Sequence, residues 1–322
     1  MKGLRRTTAW ITLFLSAVAM TAMLLFLQTR GIEVPDVAHA AQAAPYSSHE
    51  VVRLDNARLS GEDVIIPLPE GVHREDIRFE NHYMSRELCV YIRTPDVSFY
   101  QETPLPCHTE KIHGVRCARE DGSDTLCLML RCDTVYEAQP AIDESEIRIH
   151  LTAPSEQYTR IVVLDPVYTD STDLSLLLAR RIQTRALHAG QPVRVYLTRT
   201  DAAVPSSAQC ISFAADVSAA RFLRIECGEG TTLSASSRFN NLFFIRRYGN
   251  LQFATDLEKN LGALPDILLN GVFVSEADET LRGLKVPAAY LRLGGLHAGD
   301  DALLNRTAEL IFETLTLTTQ ED

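Results

Sequence analysis

The chain has 322 residues, 46% of them apolar, and a formal net charge of -11. That is enough apolar material for a sizeable core and about two domains, which excludes a disordered polymer. The charge excludes a nucleic-acid partner, which needs a basic face to neutralise phosphates, and leaves any contact with an anionic cell wall to local, specific groups.

Lys2, Arg5 and Arg6 precede residues 7–27, a run without a charged side chain. At helical rise this run spans roughly 30 Å, the thickness of a bilayer core, and the basic flank keeps the short tail in the cytoplasm. Residues 1–30 therefore read as a cytoplasmic tail and single-pass transmembrane signal-anchor at the cell membrane, with the bulk of the chain extracytoplasmic. A cleaved signal peptide is the alternative, with Ala38, His39 and Ala40 as the small-residue site, although that site lies well beyond the apolar run. Residues 31–47, rich in Ala and Pro, read as a tether.

From 48 to 155, short alternating runs such as DVIIPL, LCVYIRT and IRIHLTA are separated by Gly, Pro, Asp and Asn. Period-two alternation with frequent turns predicts a small all-β sandwich. Five of the seven cysteines (Cys89, Cys107, Cys117, Cys127 and Cys132) fall here without a CxxC spacing. Outside the cytosol they are compatible with one or two disulfides, and equally with buried thiols. His73, His82, His108, His113 and His150 are scattered and suggest no metal site.

From 156 to 322 the pattern changes to alternating strands and helices. Strands are predicted at 161–165, 193–198, 221–226, 242–246 and 287–292, and helices at 173–188, 206–219, 250–261 and 300–316. The fold class is α/β, with a mixed, mostly parallel sheet flanked by helices. The β-branched run IVVLDPVY at 161–168 reads as a buried central strand that delivers its last residues to the carboxyl edge, where such sheets keep their sites. FNNLFFIRRYG at 239–249 reads as an edge strand with a solvated end, and GGLHAG at 294–299 as a turn.

Together with VRVYLTRTD at 193–201, the stretches IVVLDPVY at 161–168, RFLRIECG at 221–228 and VPAAYLRLGG at 286–295 resemble the zinc-dependent N-acetylmuramoyl-L-alanine amidases, which cut peptidoglycan between sugar and peptide. The resemblance covers about half of the chain. In place and length the preceding β-rich segment is similar to the AMIN-like sandwich that often precedes such amidases. The resemblance implies a histidine, a glutamate and a second histidine as zinc ligands, and a catalytic glutamate on a later strand. This chain has Tyr168, Ser171, Glu226 and Arg292 at those four positions.

A catalytic zinc needs about three protein ligands, usually imidazole or carboxylate, and one open position for water. Phenol and hydroxyl are poor substitutes, so Glu226 is the one good ligand left; a rebuilt metal site would have to combine it with His297 and Asp170. Arginine stays protonated and cannot act as a base. Glu226 and Arg292 occupy positions that face one metal in the family, which predicts a carboxylate–guanidinium pair across the site with Tyr168 packed over it. If that pair is well buried, replacing Arg292 by Ala costs several kcal/mol. Cys227 beside Glu226 points to the opposite strand face and has no histidine as its base, so a thiol nucleophile is not expected.

The expectation is a catalytically inactive amidase-like protein with no cofactor, acting as a regulator or scaffold that binds peptidoglycan or a cell-wall or division enzyme. The alternatives are an active amidase working through a divergent zinc site, and a structural module unrelated to wall binding.

Overall fold

The computed structural model describes residues 32, 34–37, 46–55, 63–96, 98–107, 109–120, 122–169, 172–228 and 230–317. The apolar segment 7–27, the Ala38-His39-Ala40 site and most of the tether lie outside the described residues, as do Asp170 and Ser171. Among the described residues no helix is long and apolar enough to cross a membrane.

Alternation in the amino-terminal half lets its strands bury one face in a core that two sheets share, and the two central strands of the larger sheet, Glu87–Arg93 and Thr125–Cys132, are buried on both faces. The larger has the order β1 (Asp36–Val37), β5 (Ile77–His82), β6 (Glu87–Arg93), β9 (Thr125–Cys132), β8 (Ile112–Glu120) and β2 (Tyr46–Val52). The smaller orders β10 (Glu137–Ile142), β11 (Glu146–Thr152) and β4 (Asp63–Pro67), and β3 (Leu54–Asp55) pairs with β7 (Leu105–Pro106). Val64, Ile66, Ile147 and Ile149 of the smaller sheet join Val90, Ile92, Leu128 and Leu130 of the larger in one core. The single turns α1 (Phe99–Glu102) and α2 (Pro154–Gln157) complete this region. All seven cysteines of the chain are thiols, six of them buried.

The carboxyl-terminal half runs β12 (Arg160–Pro166), α3 (Leu174–His188), β13 (Val193–Leu197), α4 (Ser207–Asp216), β14 (Arg221–Gly228), β15 (Ser234–Phe239), α5 (Asn250–Leu261), β16 (Leu268–Val274), α6 (Glu279–Gly283), β17 (Ala288–Gly294) and α7 (Asp301–Thr316). Its sheet order is β13-β12-β14-β17-β15-β16. The first four strands are parallel, β15 is antiparallel to β17, and β16 is parallel to β15. This is the mixed, mostly parallel sheet that the alternation implies. Leu178, Ile182, Leu257, Leu261, Leu304 and Ile311 bury α3, α5 and α7 against one face, and Phe213 and Leu281 bring α4 and α6 to the other. Side-chain caps begin the helices where the sequence supplies them. Asp173, Asp278 and Asp300 each accept from a backbone N–H of the first turn, and Ser206 forms a capping box with Gln209.

Three strand assignments depart from the periodicity. The predicted strand at 242–246 is a turn leading into a 3-10 helix at Arg246–Tyr248, so the edge-strand reading of 239–249 is corrected. Asn240 Oδ1 accepts from Leu242 N at 3.0 Å, and Leu242 O accepts from both Ile245 N and Arg246 N, which closes local turns that outweigh the aromatic β-preference. The extra strands are β15, whose sequence SASSRF has no apolar alternation, and β16.

The two halves meet around β13. Tyr83 is fully buried against Tyr196 and Phe213, with ring centroids 5.3 and 5.2 Å away, and its hydroxyl donates to Leu197 O at 2.5 Å. Arg194 Nη2 reaches Asp36 Oδ2 at 2.5 Å and its Nε reaches Glu137 Oε1 at 2.6 Å, while the Tyr196 hydroxyl also donates to Glu137. Burial works to lower the Arg194 pKa, but Asp36 and Glu137 outweigh it and hold the guanidinium above its ordinary range.

Candidate functional site

Because β12, β14 and β17 are parallel, their carboxyl ends arrive at one edge of the sheet. Glu226 and Arg292 are register partners on adjacent strands and so share a face. Arg292 Nη2 donates to Glu226 Oε1 at 2.8 Å, and the Tyr290 hydroxyl, two residues back on the same face, donates to Oε2. The pair read from the sequence is therefore formed, with a phenol as an additional donor.

Its surroundings differ from the expectation in two respects. The Arg292 side chain is 45% exposed and that of Glu226 21%, so the pair sits at a lip and is not deeply buried. Exposed pairs contribute about 1 kcal/mol or less. Arg292→Ala is thus expected to shift stability by no more than about 1 kcal/mol, since Tyr290 and water keep Glu226 satisfied. Urea denaturation of the two proteins measures this, and a loss of several kcal/mol would contradict the exposed geometry. Tyr168, in turn, does not cover the pair. Its ring lies over the guanidinium of Arg199, 5.5 Å from Cζ to centroid, and the residue is 43% exposed.

The reason is the way Arg199 is held. It is fully buried, with Nη1 and Nη2 each 2.6 Å from an oxygen of Asp173, Nε donating to Pro166 O at 2.5 Å and Nη1 to Asp201 O at 2.7 Å. Asp173 takes φ 45°, a left-handed conformation, while also capping α3 through Leu176 N. The guanidinium plane is fixed inside the loop that carries Tyr168, and the ring packs on that nearby cation instead of reaching across to Arg292.

A second polar cluster lies just below the edge. Asp165 is 5% exposed and accepts from Thr198 Oγ1 at 2.6 Å and from Arg224 Nε at 2.7 Å. Arg224 continues to Asp278 Oδ2 and Thr280 Oγ1, both at 3.0 Å. Burial works to lower the Arg224 pKa, and the carboxylates of Asp165 and Asp278 more than offset this. The signal in the sequence was Arg224 itself, a charge inside the strand RFLRIECG that demands a buried anion. Its partner Asp278 comes from a distant loop and could not be read.

Among the described residues, the donors at the edge do not make up the ligand set of a catalytic zinc. Both oxygens of Glu226 are committed to donors, one of them a fixed cation that would repel a metal ion, and Tyr168 is turned to Arg199. His297 lies in the exposed turn before α7, and His188 at the exposed end of α3, where its Nδ1 lies 2.7 Å from Thr184 O. Among the described residues no three His, Cys, Asp or Glu side chains converge. Cys227 points away from Glu226 into the core under α3, and burial pushes its thiol up to about 12. The thiol is thus not a nucleophile at neutral pH. The turn at 294–299 needs its glycine, because Gly295 has φ 73° and an added Cβ would lie 2.4 Å from Thr232 O.

A separate cleft of about 910 Å³ lies between the outer face of the larger amino-terminal sheet and α4; Arg53, Arg86, Arg116 and Arg131 are among its lining residues. Arg86 spans it, with its Nη2 2.6 Å from Asp216 Oδ2.

No protein-family model matches the chain, and no curated protein does. Among solved structures it is similar to the catalytic domain of CwlV, an N-acetylmuramoyl-L-alanine amidase from Bacillus (Paenibacillus) polymyxa, with TM-score 0.41 and 17% identity over 49% of this chain and 96% of that one. It is similar to the amidase AmiC2 of Nostoc punctiforme, with TM-score 0.40 and 17% identity over 48% and 94% of the two chains. A third is the CwlD amidase from Clostridioides difficile, solved in complex with the GerS lipoprotein, with TM-score 0.37 and 11% identity over 48% and 94%.

Proposed function

We propose that the chain is a catalytically silent, amidase-like protein of the cell envelope that binds peptidoglycan or a cell-wall enzyme and does not cut it. The observation that carries this reading is the commitment of Glu226 to Arg292 and Tyr290 at the carboxyl edge of β14 and β17. Amide hydrolysis by the mechanism the resemblance implies needs a Lewis acid to acidify water and a base to take its proton. Arg292 occupies the base position and holds its proton, and Glu226 is neutralised where a ligand would have to remain available. What these residues offer instead is a fixed edge with a half-exposed guanidinium and two aromatic rings, Tyr168 and Tyr290, that can bind without turning over.

In this reading residues 1–30 anchor the chain in the membrane, 31–47 are the tether, 48–155 form an AMIN-like sandwich with a targeting role, and 156–322 form the amidase-like unit, with the bulk outside the membrane. No cofactor is required.

The test uses the full chain purified in detergent with zinc supplied and excess removed. Elemental analysis and incubation with purified peptidoglycan sacculi are expected to give well under one zinc per chain, retention of the protein on the sacculi and no release of stem peptide. About one zinc per chain, together with peptide release that Glu226→Gln abolishes, would overturn the reading in favour of an amidase with a rebuilt site around Glu226, His297 and Asp170. Absence from the sacculi would favour a structural module unrelated to the wall.

A further inference from the structure

We infer that the turn at 242–248, between β15 and α5, is a lipid-contact element: Phe243 and Phe244 enter the interface of an anionic bilayer while Arg246 and Arg247 meet its phosphates.

The turn is held rigidly from both sides. Asn240 Oδ1 accepts from Leu242 N at 3.0 Å, Arg246 Nε donates to Asn241 O at 2.8 Å, and Asn250 Nδ2 donates to Asn240 O at 3.3 Å. Ile245 is buried and pins the middle of the turn to the body. Between these fixed points Phe243 is 88% exposed and Phe244 55%, and Leu251 on the first turn of α5 is exposed beside them. Two rings presented on a fixed backbone lose little freedom when they bind.

Charge selects the surface they meet. Residues 238–255 contain Arg238, Arg246 and Arg247 and no acidic residue, in a chain whose net charge is -11. The contacts of these arginines are with neutral groups. Arg246 holds Asn241 O, Arg247 Nη2 donates to the Tyr248 hydroxyl at 2.9 Å, and Arg238 lies 5.9 Å from the centroid of the Tyr290 ring. Among the described residues none of the three is in an ion pair, so Arg246 and Arg247, both exposed, are free to take an anion.

An anionic bilayer satisfies both parts of this arrangement. Aromatic rings settle at the level of the headgroups, and each guanidinium near a negative lipid surface adds attraction. A sugar or peptide would find no hydrogen-bonding atom on the two rings, and the turn does not line the cleft of about 910 Å³.

Position gives the contact a consequence. Strand β15 runs antiparallel to β17, from Ser234 opposite Gly294 to Arg238 opposite Tyr290, and Asn250 Oδ1 accepts from Ala288 N at 2.9 Å. The turn therefore lies at the amino end of β17, whereas Arg292 and its partner Glu226 lie about 13 Å further along the strand, toward the carboxyl edge. A unit resting on this turn keeps that edge off the lipid and open to a ligand. The contact adds to the proposed membrane anchor, and it rests on that reading only for which way the edge faces.

The experiment places Phe243→Trp in the full chain and reads its emission against the wild type, whose one tryptophan is Trp10. Phe243 is exposed, so the larger ring leaves the packing unchanged. The bilayers are phosphatidylcholine alone or mixed with phosphatidylglycerol, with acyl chains brominated or plain. On the mixed bilayer the added emission is expected to move to shorter wavelength and to be quenched by bromine. In this background Arg246→Gln and Arg247→Gln should each lower the ratio of docked to free turn about fivefold. The control Arg119→Gln, on the amino-terminal half, should leave it unchanged. Failure of the chain to enter bilayers through residues 1–30 counts against the anchor alone, because protein added to preformed vesicles still reports on position 243. Emission that stays at the solvent wavelength on the mixed bilayer, equal contact on neutral and mixed bilayers, or a shift produced by purified sacculi and not by lipid would each overturn the proposal.

Discussion

Replacing Arg199 by Ala is expected to lower the stability of the chain by about 3–5 kcal/mol, the cost of removing one member of a buried ion pair. The guanidinium is fully buried and makes four hydrogen bonds, two to the carboxylate of Asp173 and one each to Pro166 O and Asp201 O. Alanine leaves that carboxylate and both carbonyls without their donor in a space water enters poorly. It also removes the cation under Tyr168 and the group that holds Asp173 in its left-handed cap. Arg199→Lys should recover part of the loss, because an ammonium keeps the charge but cannot fill the two-oxygen fork. Urea denaturation gives the difference, and amide exchange in the segment leading into α3 should quicken in the same order. A loss below about 1 kcal/mol for Arg199→Ala would mean the pair is solvated and the loop is held by something else.

The second large effect is expected at Arg194, where one guanidinium joins two carboxylates from the amino-terminal half. Its side chain is 10% exposed, and those of Asp36 and Glu137 are nearly as buried. Burial raises the Asp36 pKa, Arg194 works against that, and the neighbouring Glu137 adds to the rise. Arg194→Ala therefore leaves two buried like charges with no cation between them, for a loss of about 3–5 kcal/mol. The loss falls at the junction of the two halves, which then rests on Tyr83, the Tyr196–Glu137 hydrogen bond and the more exposed Arg86–Asp216 pair. Calorimetry is expected to show the amino-terminal half melting at a lower temperature than its partner. Coincident melting at the wild-type temperature would show that Arg194 does not couple them.

Arg292 carries the same kind of charge pair with a much smaller expected effect, and exposure decides the difference. A pair at a lip is solvated by water before and after mutation, whereas Arg199 and Arg194 have no solvent to replace them. What it does at the edge is to occupy, with the Tyr290 hydroxyl, both carboxylate oxygens of Glu226.

Much of this was legible in the residues themselves. The β-branched run at 161–168 and the helices that begin at Asp173 and Ser206 follow from local periodicity and capping, which need no knowledge of the rest of the chain. Glu226 and Arg292 could be paired because both sit at matching places on parallel strands, and parallel register converts sequence position into contact. Strand β15 was not legible, since SASSRF is buried by α5 and its neighbours and not by its own apolar pattern. Nor was the turn at 242–246, where side-chain-to-backbone bonds from Asn240 outweigh aromatic β-preference.

The sequence by itself determined the parallel strands β12, β13, β14 and β17, the long helices beside them and the residue types at their carboxyl edge, because these are set by neighbours within a few positions. Only the tertiary structure decided which polar groups meet: Tyr168 with Arg199, Asp165 with Arg224 and Asp278, and Arg194 with Asp36 and Glu137. Those partners lie in distant segments, and a buried charge takes whichever opposite charge the packing brings to it, which no local pattern records.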